Sequence, residues 1–167
     1  MEKTMGNHST KNASPSAPSD AIEWSDSMSV GIQEIDEQHK VLVAIITQLH
    51  HAIKEKHSSQ VVVDILSRLT EYTKTHFMVE ESILRIMKYP DYNDHKKQHD
   101  HLIKKMSHLK KKVKKGNTAI GFELSHMLKM WLVNHIQVSD KDHSEFLLKK
   151  GVAAHWKKKS IIDRIFG

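Results

Sequence analysis

Four stretches of this chain repeat apolar positions three and four residues apart, the spacing of one face of an α-helix. The first runs through His39, Leu42, Ile46, Leu49 and Ile53; the second through Val62, Ile65, Leu69, Tyr72, His76, Glu80, Ile83 and Met87. The third carries His95, His99, Leu102, Met106, Leu109 and Val113, and the fourth Leu124, Leu128, Trp131, His135 and Val138. Stop signals separate them. His57-Ser58-Ser59 offers hydroxyl caps ahead of the second stretch, and Tyr89-Pro90-Asp91 divides the second from the third. Gly116-Asn117-Thr118 supplies a glycine stop and a cap before the fourth, and a fifth, short helix is expected around 144–150, closed by Gly151. No stretch alternates in the manner of a strand. Helices joined by short connections lie antiparallel to their neighbours, so the pattern predicts an all-α, up-down-up-down four-helix bundle.

The stripes contain polar residues where a core expects none. His39, His76, Glu80, His95, His99 and His135 all occupy inward positions. Other histidines fail this test: His51, His101 and His126 each lie two residues past an inward position, rotated by about 200° onto the wet face. The same register sets aside two look-alike spacings, His51–Glu55 and Glu123–His126; His95–Asp100 is a third look-alike. A buried polar group without a partner costs on the order of 1–3 kcal/mol, and a metal centre satisfies several such groups at once. Asp140 follows His135 by five residues, about 140° round a regular helix, and reaches the same centre only if the helix end bends inward. Five imidazoles and two carboxylates suit a pair of transition-metal ions. Two bridging carboxylates and a bridging solvent oxygen leave roughly one of twelve coordination positions open, which suggests reversible ligand binding.

These residues resemble the hemerythrin family, specifically its bacterial single-domain form. His39, HFMVE, HKKQH and HIQVSD match the family's metal pattern at seven positions, and VGIQEIDEQHKVL, MKYPDYNDHKKQHD and WLVNHIQVSDKDH are similar around them. The likeness covers roughly residues 24–152. It implies a non-haem di-iron centre, oxo- or hydroxo-bridged, in the bundle core. One iron would be held by His95, His99 and His135, the other by His39 and His76, with Glu80 and Asp140 bridging. Dioxygen would bind at the open position of the two-histidine iron, and Leu42 and Trp131 would help wall a dry pocket for it. Two positions depart from the family pattern: His143, three past Asp140, stands where tyrosine is common, and Gln137 where leucine would suit an apolar pocket. Either is expected to admit water or to alter the surroundings that tune redox behaviour, and so to quicken autoxidation.

Composition bounds the remaining choices. The chain has 167 residues and no cysteine, which excludes thiolate metal sites, cysteine nucleophiles and disulfides. Residues 1–21 read as a disordered tail, 22–152 as the bundle and 153–167 as a basic extension. No apolar run reaches membrane-spanning length and the first twenty residues hold no signal-peptide core, so a cytoplasmic protein is expected. The net charge of +6 gathers at Lys104, Lys105, Lys110, Lys111, Lys112, Lys114 and Lys115, and again at Lys149, Lys150, Lys157, Lys158 and Lys159. Such runs are first a solvated helix face; docking to an acidic protein or a membrane surface is the alternative. Without interleaved aromatics or a DNA-reading motif, nucleic-acid binding is not expected. The reading is therefore a monomeric oxygen binder for storage, delivery or transport rather than an enzyme. The alternatives are an oxygen or redox sensor acting through a partner, and a di-iron enzyme reducing peroxide or nitric oxide.

Overall fold

The computed structural model describes residues 21–115 and 120–154. Four long helical paths follow one another: α1 (Gln33–Lys54), α2 (Ser59–Ile86), α3 (Tyr92–Lys114) and α4 (Ile120–Asn134). The last continues through a π-helical turn (His135–Asp140) into α5 (Lys141–Lys149). Each long helix packs on its neighbour in sequence, and α1 closes the ring against α4. No strand occurs among the described residues. This is the expected all-α, up-down-up-down bundle. No described helix is long and apolar enough to cross a membrane.

The helix ends follow local chemistry. The Ser58 hydroxyl accepts from the Val61 amide at the start of α2, and Pro90 falls in the break between α2 and α3. At the end of α5, Gly151 takes φ +87° while Val152 N–H reaches back to the Leu147 carbonyl at 3.1 Å. The same closing motif ends α1 and α2 without glycine. Lys56 and Lys88 each adopt φ 56°, and the following amides bond Ala52 and Leu84 carbonyls at 2.9 Å. Ahead of α1, the Asp36 carboxylate accepts from the Val30 amide and the Ser29 hydroxyl, pinning the N-terminal strap, while Gln33 N–H bonds the Ala154 carbonyl. Gly116-Asn117-Thr118, most of the N-terminal tail and most of the basic extension lie outside the described residues.

The core departs from the expected stripes in several places. In α2 its centre runs through Leu66, Leu69, Thr73, Phe77 and Leu84, while Ile65, Tyr72, Ile83 and Met87 are only half-buried. At 3.6 residues per turn, positions 65 and 66 flank the same line, and packing chose the second. In the last helix Ile136 is fully buried while Val138 is 60% exposed, because the π-helical turn breaks the regular spacing. The fifth helix also begins earlier, at Lys141, as a direct continuation of that turn. His50, next to the stripe residue Leu49, is also buried, at the far end of the bundle against the Ser125 hydroxyl, 3.1 Å away.

Candidate metal centre

Each long helix sends histidine or carboxylate side chains to one buried spot. His39 comes from α1, His76 and Glu80 from successive turns of α2, and His95 and His99 from successive turns of α3. His135 and Asp140 open and close the π-helical turn. That turn resolves the geometric difficulty of a five-residue spacing. Bonding from i to i+5 sets residues five apart above one another, whereas a regular helix would swing Asp140 away. All seven side chains are buried, the most exposed at 4%. His51, His101 and His126 point to solvent, as the register argument expects.

Asp140 stands between two groups of histidines. Its Oδ2 lies 3.3 Å from His39 Nε2 and its Oδ1 3.1 Å from His135 Nε2. Glu80 Oε2 lies 3.3 Å from both His95 and His99 Nε2 and 4.0 Å from His76 Nε2. Three acceptors hold the rings from behind. Gln38 receives His76 Nδ1–H at 2.9 Å, Glu81 receives His99 Nδ1–H at 3.0 Å, and Gln98 receives His135 Nδ1–H at 3.1 Å. With Nδ1 donating outward, a neutral imidazole presents only its Nε2 lone pair inward. His99 and His135 do so at 3.0 Å from one another, with Glu80 Oε2 close by. Lone pairs that close repel unless a cation or a proton lies among them.

Protonation and satisfaction point the same way. Burial holds His76 and His135 down to about 4, so both are neutral, ligand-ready imidazoles at neutral pH. Burial pushes the Glu80 carboxyl up, but its histidine contacts, His143 foremost, outweigh it and hold the group well below the usual carboxylate range. Burial and the Glu80 charge likewise push Asp140 up, yet His135, His143 and His39 bring it down. Both His39 nitrogens, Glu80 Oε1 and both Asp140 oxygens are buried without a hydrogen-bond partner. The carboxylate oxygens and His39 Nε2, orphaned beside one another, fit a metal ion. Two overlapping groups, Glu80–His95–His99–His135 and Glu80–His95–Asp140–His143, each bring four ligand atoms within 4.8 Å of one another.

Several residues at the centre escaped the sequence reading. Gln38, Glu81 and Gln98 each adjoin an inward residue in sequence, the one signal that could have found them; alone they look like surface polar positions. His143, noted there only as a departure, is fully buried with Nε2 2.6 Å from Glu80 Oε1. Burial lowers its affinity for a proton, but contacts with Asp140 and Glu80 outweigh this and raise it to about 10 in the metal-free chain. Gln137 corrects the opposite expectation. Its side chain is exposed and reaches toward Ser27, because a residue two past inward His135 falls on the wet face.

Apolar and aromatic groups close the inner side. Trp131 stacks on His135 with ring centroids 4.2 Å apart, and Phe77 stacks on His99 at 3.5 Å. Leu42 and Trp131 both line a small cavity, hardly the size of a water molecule, together with Leu69, Leu128 and Leu132. Apart from Thr73, its wall is made of aliphatic side chains, Met106 and Trp131.

Comparison with known proteins agrees with this geometry. The family model described as "Hemerythrin HHE cation binding domain" matches residues 30–144. A bacteriohemerythrin of Pseudomonas aeruginosa (strain LESB58) is 32% identical over 151 residues, covering 86% of this chain and 97% of its own. One from Stenotrophomonas maltophilia (strain R551-3) is 30% identical over 122 residues, covering 73% and 78%. The crystal structure of a wild-type hemerythrin superposes with a TM-score of 0.69 at 26% identity, covering 74% of this chain and 95% of that one.

Proposed function

The chain belongs to the hemerythrin family, and from that membership we propose that it binds dioxygen reversibly at a non-haem pair of iron ions in the bundle core. The observation that carries the reading is the convergence of buried, unpartnered donor atoms on one space. When bound, two ferrous ions supply the two electrons that reversible dioxygen binding draws on. His95, His99 and His135 would hold one ion, and His39 and His76 the other. Asp140 is suited to bridge them, since its two oxygens face different histidine groups. Glu80 Oε2 likewise lies within reach of both groups.

The chain's own residues account for ligand placement and protection. Gln38, Glu81 and Gln98 fix three imidazole rings so that each Nε2 faces inward. Leu42 and Trp131 wall the apolar cavity, which keeps water and protons from a bound ligand. Storage or delivery is the role proposed.

Anaerobic loading with ferrous iron tests the reading. Two irons per chain are expected, with a visible absorption band that forms under oxygen and bleaches under argon. His76→Ala is expected to bring the iron content toward one. A chain that takes up no iron refutes the metal centre. Steady consumption of peroxide or nitric oxide would instead establish an enzyme.

A further inference from the structure

His143 is the one member of the buried cluster that the seven-residue pattern omits. It sits on the first turn of α5, three residues after Asp140, and its side chain is 0% exposed. Its Nε2 lies 2.6 Å from Glu80 Oε1 and 3.3 Å from Asp140 Oδ1. Its ring meets that of His95 edge-on, with centroids 4.8 Å apart. Tyr89 braces the other side, 6.0 Å away ring to ring, with its hydroxyl donated to Asp142.

The geometry at Nε2 is not that of a hydrogen bond. Nε2 lies close to both carboxylates, yet both ring nitrogens, Glu80 Oε1 and Asp140 Oδ1 are buried without a hydrogen-bond partner. An ion satisfies Nε2 and the two carboxylate oxygens together, because a cation attracts several lone pairs at once and needs no linear N–H. Glu80 is also divided. Oε2 faces the histidines of α2 and α3, while Oε1 faces His143. His143 Nε2 and Glu80 Oε1 therefore address the same side of the centre.

We propose that His143 is an eighth protein ligand, which takes the position beside Glu80 Oε1 and leaves Glu80 attached through Oε2. The proposal rests on the metal-binding reading above and extends its donor set to a second group, Glu80, His95, Asp140 and His143. The imidazole and carboxylate mixture suits a divalent first-row ion. One neutral nitrogen then replaces one anionic oxygen in the coordination shell.

Cobalt(II) titration under argon tests this, read by bound metal per chain and by the visible d–d bands, in wild type, His143→Ala and His143→Gln. Glutamine keeps a hydrogen-bond donor but no imidazole nitrogen, and circular dichroism checks the fold. Loss of an outer hydrogen-bond partner typically weakens metal by about 10–100-fold. Loss of a ligand is expected to exceed about 100-fold for one of two cobalt ions and to shift the d–d bands in both variants. A smaller loss, unshifted bands, or recovery by glutamine overturns the assignment and leaves His143 as a positioning residue. If His143→Ala does not fold, His143→Gln decides alone. A wild-type chain that binds no cobalt refutes the metal-binding reading itself, and the proposal with it.

Discussion

Glu81 offers a clean separation of metal affinity from fold stability. Its Oε1 accepts from His99 Nδ1 at 3.0 Å, and its carboxylate is 13% exposed. A hydrogen bond to a charged group is worth about 1.5–3 kcal/mol. Bound metal makes the imidazole N–H a stronger donor, so most of that energy is realised in the loaded protein. At about 1.4 kcal/mol per decade, Glu81→Ala should weaken the ion at His99 by roughly 10–100-fold. Glu81→Gln keeps the acceptor without the charge and should fall between the variant and wild type. The metal-free fold should change less. Glu81 also pairs with Lys96 at 3.4 Å, but that lysine side chain is 38% exposed, and such pairs contribute about 1 kcal/mol or less. The assay is anaerobic competition for ferrous iron against a chelator, beside urea unfolding of the metal-free chain. Affinity within threefold of wild type for Glu81→Ala would refute the claim that this carboxylate tunes the centre.

Leu49→Ala removes a side chain at 0% exposure from the bundle core and should cost about 2–5 kcal/mol in urea unfolding. Gln137→Leu should leave the autoxidation rate of the oxygenated protein unchanged, because the side chain is exposed; a clear slowing would place it in the pocket after all. Metal-free stability should pass through a maximum with pH. His76 and His135, held down to about 4 from 6.5, are proton-free in the folded chain where the unfolded chain binds protons, so stability falls as pH drops from 6.5 towards 4. His143, raised to about 10 from 6.5, stabilises fully below 6.5 and loses this as pH rises towards 10. Urea midpoints that stay flat between pH 4 and 10 would contradict both shifts.

Much of the protein was legible in the chain because its signals are local. A stripe such as Leu42, Ile46, Leu49 depends only on helical period, and the bundle follows from four such stripes with short breaks. The inward His39, His76, Glu80, His95, His99 and His135 were legible by the same rule, since a residue's side of a regular helix is fixed by its spacing. Where the helix is not regular, the rule fails. The π-helical turn turned Asp140 in, rotated Val138 out, and carried His143 into the cluster. No spacing in the sequence announces that turn. Gln38, Glu81 and Gln98 depend on ring orientations set by a neighbouring helix, as does the choice of Leu66 over Ile65. The sequence by itself determined the helices, their order and most of the inward polar set. Tertiary packing alone decided which atoms meet, because register along one helix carries no information about the distance to another.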